Sequence, residues 1–310
     1  LLKGSFAGAL KQKIMKLVVT GSLGNVSKPL TQILVEKGHD VTVVSKDPEK
    51  VGQIEAVGAK AAIGSVSDTA FLTSVFKGAD AVYTMVPPNW TVSNYRQYIG
   101  ETGLHYRNAI EASGVRRVVN LSSIGAHLSN GTGPIAGLYD VEQTLNTLNG
   151  VAVRHLRAGI FFINFFFDIP LIRSMGIMGA NYSNQARLVM VHPRDIAAVA
   201  ARELQHPFEG KNHRYVVSEE LQVAEIIKVI GTAIGKPDLP WVQFSDDDAF
   251  KGMMTAGMSE AIARVYVEMG MAIGSGVLFE DFEAHKPHEL GSTKLVDFIN
   301  EFAAIYNSGQ

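Results

Sequence analysis

The sequence contains no cysteine, which excludes disulfides, thiol catalysis and zinc–thiolate centres together. Neither sign of charge dominates. With 28 Lys+Arg against 30 Asp+Glu there is no broad basic face for nucleic acid. Long hydrophobic runs are missing as well. The most apolar stretch, Gly159 to Ile172, is too short for a membrane span and is broken by Asn164 and Asp168. Residues 1–14 lack the cleavage pattern of a signal peptide, and Met15 directly precedes the first strand-like run. We read 1–14 as a leader or expression-derived arm, and expect a cytoplasmic protein because no targeting signal is visible. Lysine is absent between Lys77 and Lys211.

What is present suffices for a large core: 310 residues, 46% of them hydrophobic. That length allows one large α/β domain or two smaller ones. From Lys16 onward, short apolar and β-branched runs alternate with segments of helical spacing. Strands are expected at 16–20, 40–44, 59–63, 81–86, 117–121 and 151–156. Helices are expected at 23–37, 48–57, 68–77, 93–113 and 135–148. This rhythm predicts βαβ units in a doubly wound parallel sheet, an α/β Rossmann fold. Past residue 158 the alternation fails. Helices return at 194–205, 221–234, 258–269 and 293–306, with one strand at 214–218. The expected layout is a Rossmann core over 15–158 and a mixed region over 159–310. Within the latter, 191–234 would complete the sheet, while 159–190 and 235–290 would form a small C-terminal substrate lobe.

Gly21-x-x-Gly24-x-x-Ser27 falls between the first strand and the first helix, where a phosphate-binding turn belongs. Gly21 permits a tight turn, Gly24 lets a pyrophosphate reach the backbone, and Ser27 is small enough for close helix–strand packing. The helix start then offers free N–H groups to the phosphates. Gly21, Ser22, Leu23, Gly24, Asn25 and Val26 are the expected contacts. Pro29 counts slightly against this reading, since proline removes a helical hydrogen bond.

The second strand ends in Ser45-Lys46, where an NAD enzyme usually carries an acid for the ribose hydroxyls. Asp40 lies at the wrong end of that strand. Ser45 and Lys46 suit a 2′-phosphate, so NADP(H) is preferred and NAD(H) remains possible, with Asp47 the competing feature. A solvated loop lysine is the alternative role for Lys46. Other expected cofactor contacts lie at strand ends: Ser65, Val66, Met85, Val86, Pro87, Ser122 and Ser123. Their alternatives are ordinary turns or core positions.

The segments VVTGSLGNVSKPL, SKDPEK, NLSSIGAH, HLRAGIFFINF, VHPRDIAAVAARELQHP and STKLVDFINEFA occur in that order. With them the chain resembles the NmrA-like branch of the atypical short-chain dehydrogenase/reductases, from Lys16 to about Tyr306. The resemblance implies an NAD(P)-binding Rossmann domain with a small substrate lobe. It also implies a place among quinone and triarylmethane-dye reductases, isoflavone-type reductases, or sensors that bind a dinucleotide without turning it over.

One departure is chemically important. The wider superfamily uses Tyr-x-x-x-Lys, in which lysine lowers the tyrosine pKa for proton donation. None of the nine tyrosines here has lysine four residues on, and Tyr139, nearest the expected place, is followed by Gln143. Two readings survive. In one, hydride passes directly to a conjugated acceptor such as a quinone, with Tyr139 or His127 assisting as proton donor. In the other, the protein is a redox sensor whose cofactor changes its contacts to a protein partner.

Trp90, Phe161, Phe162 and Asn164 are expected near the acceptor, although most aromatic and Met residues of that segment serve packing. Asn164 has a satisfied buried amide as its alternative. His192 is a weaker candidate for the cleft, and Asp195 reads as a helix-dipole partner. His285-x-x-His288 has no third ligand nearby in sequence, so no metal is expected. The expected partner is a small-molecule acceptor, with no direct nucleic-acid or membrane contact, and the chain a monomer or homodimer.

Overall fold

A computed structural model describes residues 13–308. The expected leader, 1–14, lies outside them except for Lys13 and Ile14. The apolar run Lys16–Val19 forms β1 and is buried beyond its first residue. Helix α1 (Ser27–Glu36) follows, then β2 (Asp40–Ser45), α2 (Val51–Ala56) and β3 (Lys60–Ile63). Next come α3 (Thr69–Phe76), β4 (Ala81–Thr84), α4 (Tyr95–Ser113), β5 (Arg117–Ser123), α5 (Ile135–Asn146) and β6 (Ala152–Ala158). Local chemistry sets these boundaries. Asp68 and Asn94 cap α3 and α4 by accepting from Phe71 and Gln97 N–H, each at 3.0 Å. Gly114, at φ 78°, ends α4 in the left-handed conformation.

The region after residue 158 is built of short pieces: β7 (Ile160–Phe161), a 3₁₀ turn over Phe162–Asp168, α6 (Ile169–Met175), β8 (Met178–Ala180) and β9 (Arg187–Val191). Helix α7 (Pro193–Gln205) and strand β10 (Lys211–Val216) restore the longer rhythm. Then follow β11 (Glu219–Gln222), α8 (Val223–Ala233), β12 (Trp241–Gln243), α9 (Asp246–Thr255), α10 (Glu260–Ser275), α11 (Glu280–Ala284) and α12 (Leu295–Asn307).

The main sheet has the order β10-β6-β5-β4-β1-β2-β3, and its pairings are parallel. Strand order reverses between β1 and β4, the crevice where such sheets take ligands. Apolar residues of α1 and α7 pack on one face and those of α3, α4 and α5 on the other. This is the Rossmann fold expected from the alternation.

A third core belongs to the C-terminal lobe, where Phe162, Ile169 and Ile172 meet Leu295, Phe298 and Phe302. The rings of Phe162 and Phe298 stack at 5.7 Å. Two small sheets, β11-β9-β7 and β12-β8, frame it. The lobe is closed by residues just before α12. Asp195, buried in the first turn of α7, accepts from the Ser218 hydroxyl at 2.6 Å, Thr293 N–H at 3.1 Å and the Thr293 hydroxyl at 3.0 Å. Gly291 is required there, because a Cβ would lie 2.2 Å from the Asp195 carboxylate.

Several expected boundaries change: the fifth strand runs on to Ser123, the strand expected at 214–218 is Lys211–Val216, and the helix expected at 258–269 is Glu260–Ser275. The first helix begins at Ser27 rather than 23, because 21–26 form the turn itself. The fourth strand stops at Thr84 rather than 86, because Met85 N–H donates to the Thr20 hydroxyl at 3.0 Å and leaves the ladder. Among the described residues no single helix is long and apolar enough to cross a membrane.

Candidate functional site

The glycine turn is held in a conformation few residues tolerate. Gly21 has φ 92° and Ser22 φ 55°. A Cβ on Gly21 would lie 2.6 Å from Ser27 Oγ and 2.9 Å from the Met85 side chain. Ser27 is buried and donates to the Thr20 carbonyl at 2.8 Å, drawing α1 against the end of β1. Val26, the residue before α1, supplies no side-chain cap; Lys28 and Leu30 N–H donate to the Gly24 and Val26 carbonyls at 2.9 and 3.1 Å, so in the first turn it is Ser27 N–H that is left open to an anion. Pro29 falls in that first turn, where a missing N–H costs little. Gly24 and Asn25 are exposed, Leu23 is half-buried, and Val26 packs into the core. These features fit a pyrophosphate.

The turn is tied to β2. Ser22 N–H donates to the Val44 carbonyl at 2.9 Å, and the Ser22 hydroxyl donates to that of Ser45 at 3.0 Å. Beyond Ser45 the two charged neighbours behave differently. The Asp47 carboxylate accepts from Glu49 N–H at 2.9 Å as a cap, whereas Lys46 is exposed with no partner among the described residues. Asp40, at the far end, is paired with Lys60 at 2.7 Å. Gly64 N–H joins the end of β3 to the Ser45 carbonyl at 2.9 Å. Ser65 is exposed and accepts from Ser67 N–H, while Val66 is half-buried against the α3–α5 core.

Two tyrosines that sequence patterns did not single out fix the end of β4. Tyr106, fully buried, donates to the Met85 carbonyl at 2.7 Å, and Tyr98 donates to the Pro87 carbonyl at 2.8 Å. Met85, Val86 and Pro87 are all half-buried along this stretch.

The end of β5 faces a buried polar network. The Ser122 hydroxyl donates to Glu142 at 2.6 Å. Arg157 grips the same carboxylate through two bonds, at 2.7 and 3.1 Å, and reaches Asp281 at 2.9 Å. Tyr215 donates to that Asp281 oxygen. Burial opposes the charge on Arg157, but the bonds from Glu142 outweigh it and hold its pKa above the ordinary value. Burial likewise disfavours ionised Asp281, yet the bond from Tyr215 and the charge of Arg157 keep its pKa low. The Ser122 hydroxyl is thus taken up in bracing this network. Ser123 is half-buried, its hydroxyl donating to the Ile124 carbonyl at 2.9 Å.

The two proton-donor candidates are not brought to these serines by any hydrogen bond among the described residues. Tyr139, on α5, is half-buried. His127 is half-buried with a sequestered, unbonded Nδ1. Burial lowers its pKa, and Asp281 pulls the other way.

On the acceptor side the expectations divide. Trp90 is 44% exposed, stacks on Tyr95 at 5.7 Å and meets Tyr266 at 5.6 Å, forming an aromatic wall past Pro87-Pro88. Phe161 is half-buried in β7, opposite Val191. Phe162 is fully buried against Phe298 and cannot touch an acceptor, so its expected role is corrected to core packing. Asn164 is exposed with no bond among the described residues, which overturns the buried-amide alternative. His192 caps α7 by accepting from Arg194 N–H at 3.1 Å. His285 lies beside His213 of β10 and Asp281 of α11, one side-chain atom of each within 4.8 Å of the others, and His288 is not part of this cluster.

Fold and turn together define the class: a Rossmann protein shaped to hold a dinucleotide. Residues 21–147 match a family model described as NAD(P)H-binding, and the chain carries an NAD(P)H-binding domain there. Over 255 residues the chain is 24% identical to an NAD(P)H azoreductase of Xenophilus azovorans, covering 82% of this chain and 85% of that one. Among solved structures, an NADPH-dependent quinone oxidoreductase of Escherichia coli, complexed with NADPH, superposes with TM-score 0.78 at 17% identity, covering 92% of this chain and 99% of that one. A triphenylmethane reductase of Citrobacter sp. gives TM-score 0.77 at 17% identity, covering 93% and 99%. These matches accord with the NmrA-like resemblance at the level of fold and cofactor domain.

Proposed function

We propose that this protein is an NADPH-dependent reductase that delivers hydride to a flat conjugated acceptor, such as a quinone or an azo compound. The observation that carries the reading is a dinucleotide turn followed, past β4, by the Trp90–Tyr95–Tyr266 wall, with no Tyr-x-x-x-Lys relay in the sequence. NADPH, when bound, supplies the hydride. The start of α1, through the Ser27 N–H, and the exposed backbone of the 21–26 turn hold the pyrophosphate. Lys46 pairs with the 2′-phosphate, a preference supported by the engagement of Asp47 in capping.

Tyr98 and Tyr106 keep the 85–87 stretch fixed as one wall of the cleft, so the acceptor meets a preorganised surface. Trp90 offers its exposed ring for stacking against the acceptor. A conjugated acceptor spreads its new charge over its own π-system, and solvent then supplies the proton; no dedicated side-chain acid is required. The reading is supported by the reductases among the relatives and fold neighbours.

The test is loss of nicotinamide absorbance from NADPH across a panel of quinones and azo dyes, with and without protein. Protein-dependent oxidation with any acceptor, weakened by Trp90→Ala through a higher KM, is the expected outcome. Tight NADPH binding with no oxidation across the panel would overturn the reductase reading in favour of a dinucleotide sensor.

A further inference from the structure

Helix α11 returns to the sheet at its edge strand β10, separated from β1 by β4, β5 and β6. Asp281 in the helix, His285 just past its end and His213 on the strand meet there. One ligand atom from each lies within 4.8 Å of the other two. His213 Nε2 is 3.6 Å from one Asp281 oxygen, and His285 Nδ1 is 3.3 Å from the other. Donors held about 2.1 Å from a tetrahedral ion stand about 3.4 Å apart; both His–Asp spacings, each to a different carboxylate oxygen, are near that value. The imidazoles are nearly perpendicular, at 83°, and do not stack on each other.

Two further features favour a cation. Asp281 is already oriented by Tyr215 and Arg157, the outer support a ligating carboxylate needs. Glu142 and Asp281 set two negative charges around the single guanidinium of Arg157, leaving one unbalanced.

We propose that His213, Asp281 and His285 form a binding site for a divalent transition-metal cation of the Zn²⁺ type. Two imidazoles and a carboxylate suit zinc, cobalt or nickel better than magnesium or calcium. The remaining coordination positions open onto a groove of about 560 Å³ that His288 also lines. His285 Nδ1 is now 2.9 Å from the Asp281 carbonyl, a contact the ion would replace. An ion held there clips α11, and with it the C-terminal lobe, to the sheet edge. The site is separate from the dinucleotide turn and does not depend on the reductase reading.

The experiment uses the full chain, stripped with chelator and dialysed. Zn²⁺ is titrated by calorimetry, and Co²⁺ by its visible absorption. One ion per chain is expected, together with a rise in melting temperature of about 3–5 °C at a hundredfold excess over the dissociation constant. H213N and H285N should each weaken binding at least tenfold. His285 is exposed, and unchanged circular dichroism and NADPH binding in H285N would show that the variant is folded. No stoichiometric binding by the wild-type chain, or binding unchanged in both folded variants, overturns the proposal.

Discussion

The hydroxyls of Ser22 and Ser45 meet at 3.0 Å, joining the glycine turn to the end of β2. Because Ser22 sits at φ 55°, the contact fixes a strained backbone position against the strand that Lys46 follows. Lys46→Ala is expected to weaken NADPH binding about tenfold and NADH binding less than about twofold, since only the former loses a charge partner. Fluorescence titration with both cofactors checks this, and equal losses would remove the 2′-phosphate assignment.

Gly21→Ala meets two obstacles at once. Its φ of 92° disfavours any side chain, and the added Cβ would lie 2.6 Å from Ser27 Oγ. A stability loss of about 1–3 kcal/mol is expected. NADPH affinity should fall more than tenfold, because the turn must shift off α1. Chemical denaturation and cofactor titration of the same variant separate the two effects.

Arg157 holds two buried or half-buried carboxylates. Removing its charge in Arg157→Met strands Glu142 and Asp281, at a cost of about 3–5 kcal/mol. Adding Glu142→Gln should recover part of that loss. A double-mutant cycle on urea midpoints tests the coupling, and strict additivity would contradict it.

Asp168 is a half-buried carboxyl with no hydrogen bond or ion pair among the described residues, and burial pushes its pKa from 3.8 up to about 7. Below the unfolded value both states are protonated and the folded state incurs no penalty. As pH rises through the window up to about 7, the unfolded chain ionises more easily and stability falls. Asp168→Asn should remove that slope and raise stability at pH 8 by about 1–3 kcal/mol. Urea unfolding at pH 4.5 and pH 8 measures it; an unchanged slope would contradict the assignment.

Much of the sheet was legible because its inner strands β1, β4 and β5 are largely buried and its helices carry apolar residues at helical spacing. Ser45 and Lys46 could be placed from the strand end alone. The 159–190 region was not legible because β7, β8 and β9 are two to five residues long and belong to small separate sheets. Nor could spacing show that Phe162 faces Phe298, so one aromatic in a run of five looked as available as the next. A signal for the polar network was present nonetheless. Arg157 directly follows the strand-like run 151–156 and is itself buried in β6, and a buried guanidinium demands a carboxylate partner. The partners come from α5 and α11, and only the fold reveals them. Tyr98 and Tyr106 act through backbone carbonyls, a role that leaves no side-chain pattern to read.

The C-terminal lobe has an implication for synthesis. Phe162 lies near the middle of the chain and its stacking partner Phe298 near the end, while Arg173 bonds the Tyr306 carbonyl across 133 residues. On the ribosome, the strands through β6 can pair as they emerge, but the aromatic segment after them must wait, unsheltered, for the last helix. That interval is when a nascent chain most needs a chaperone.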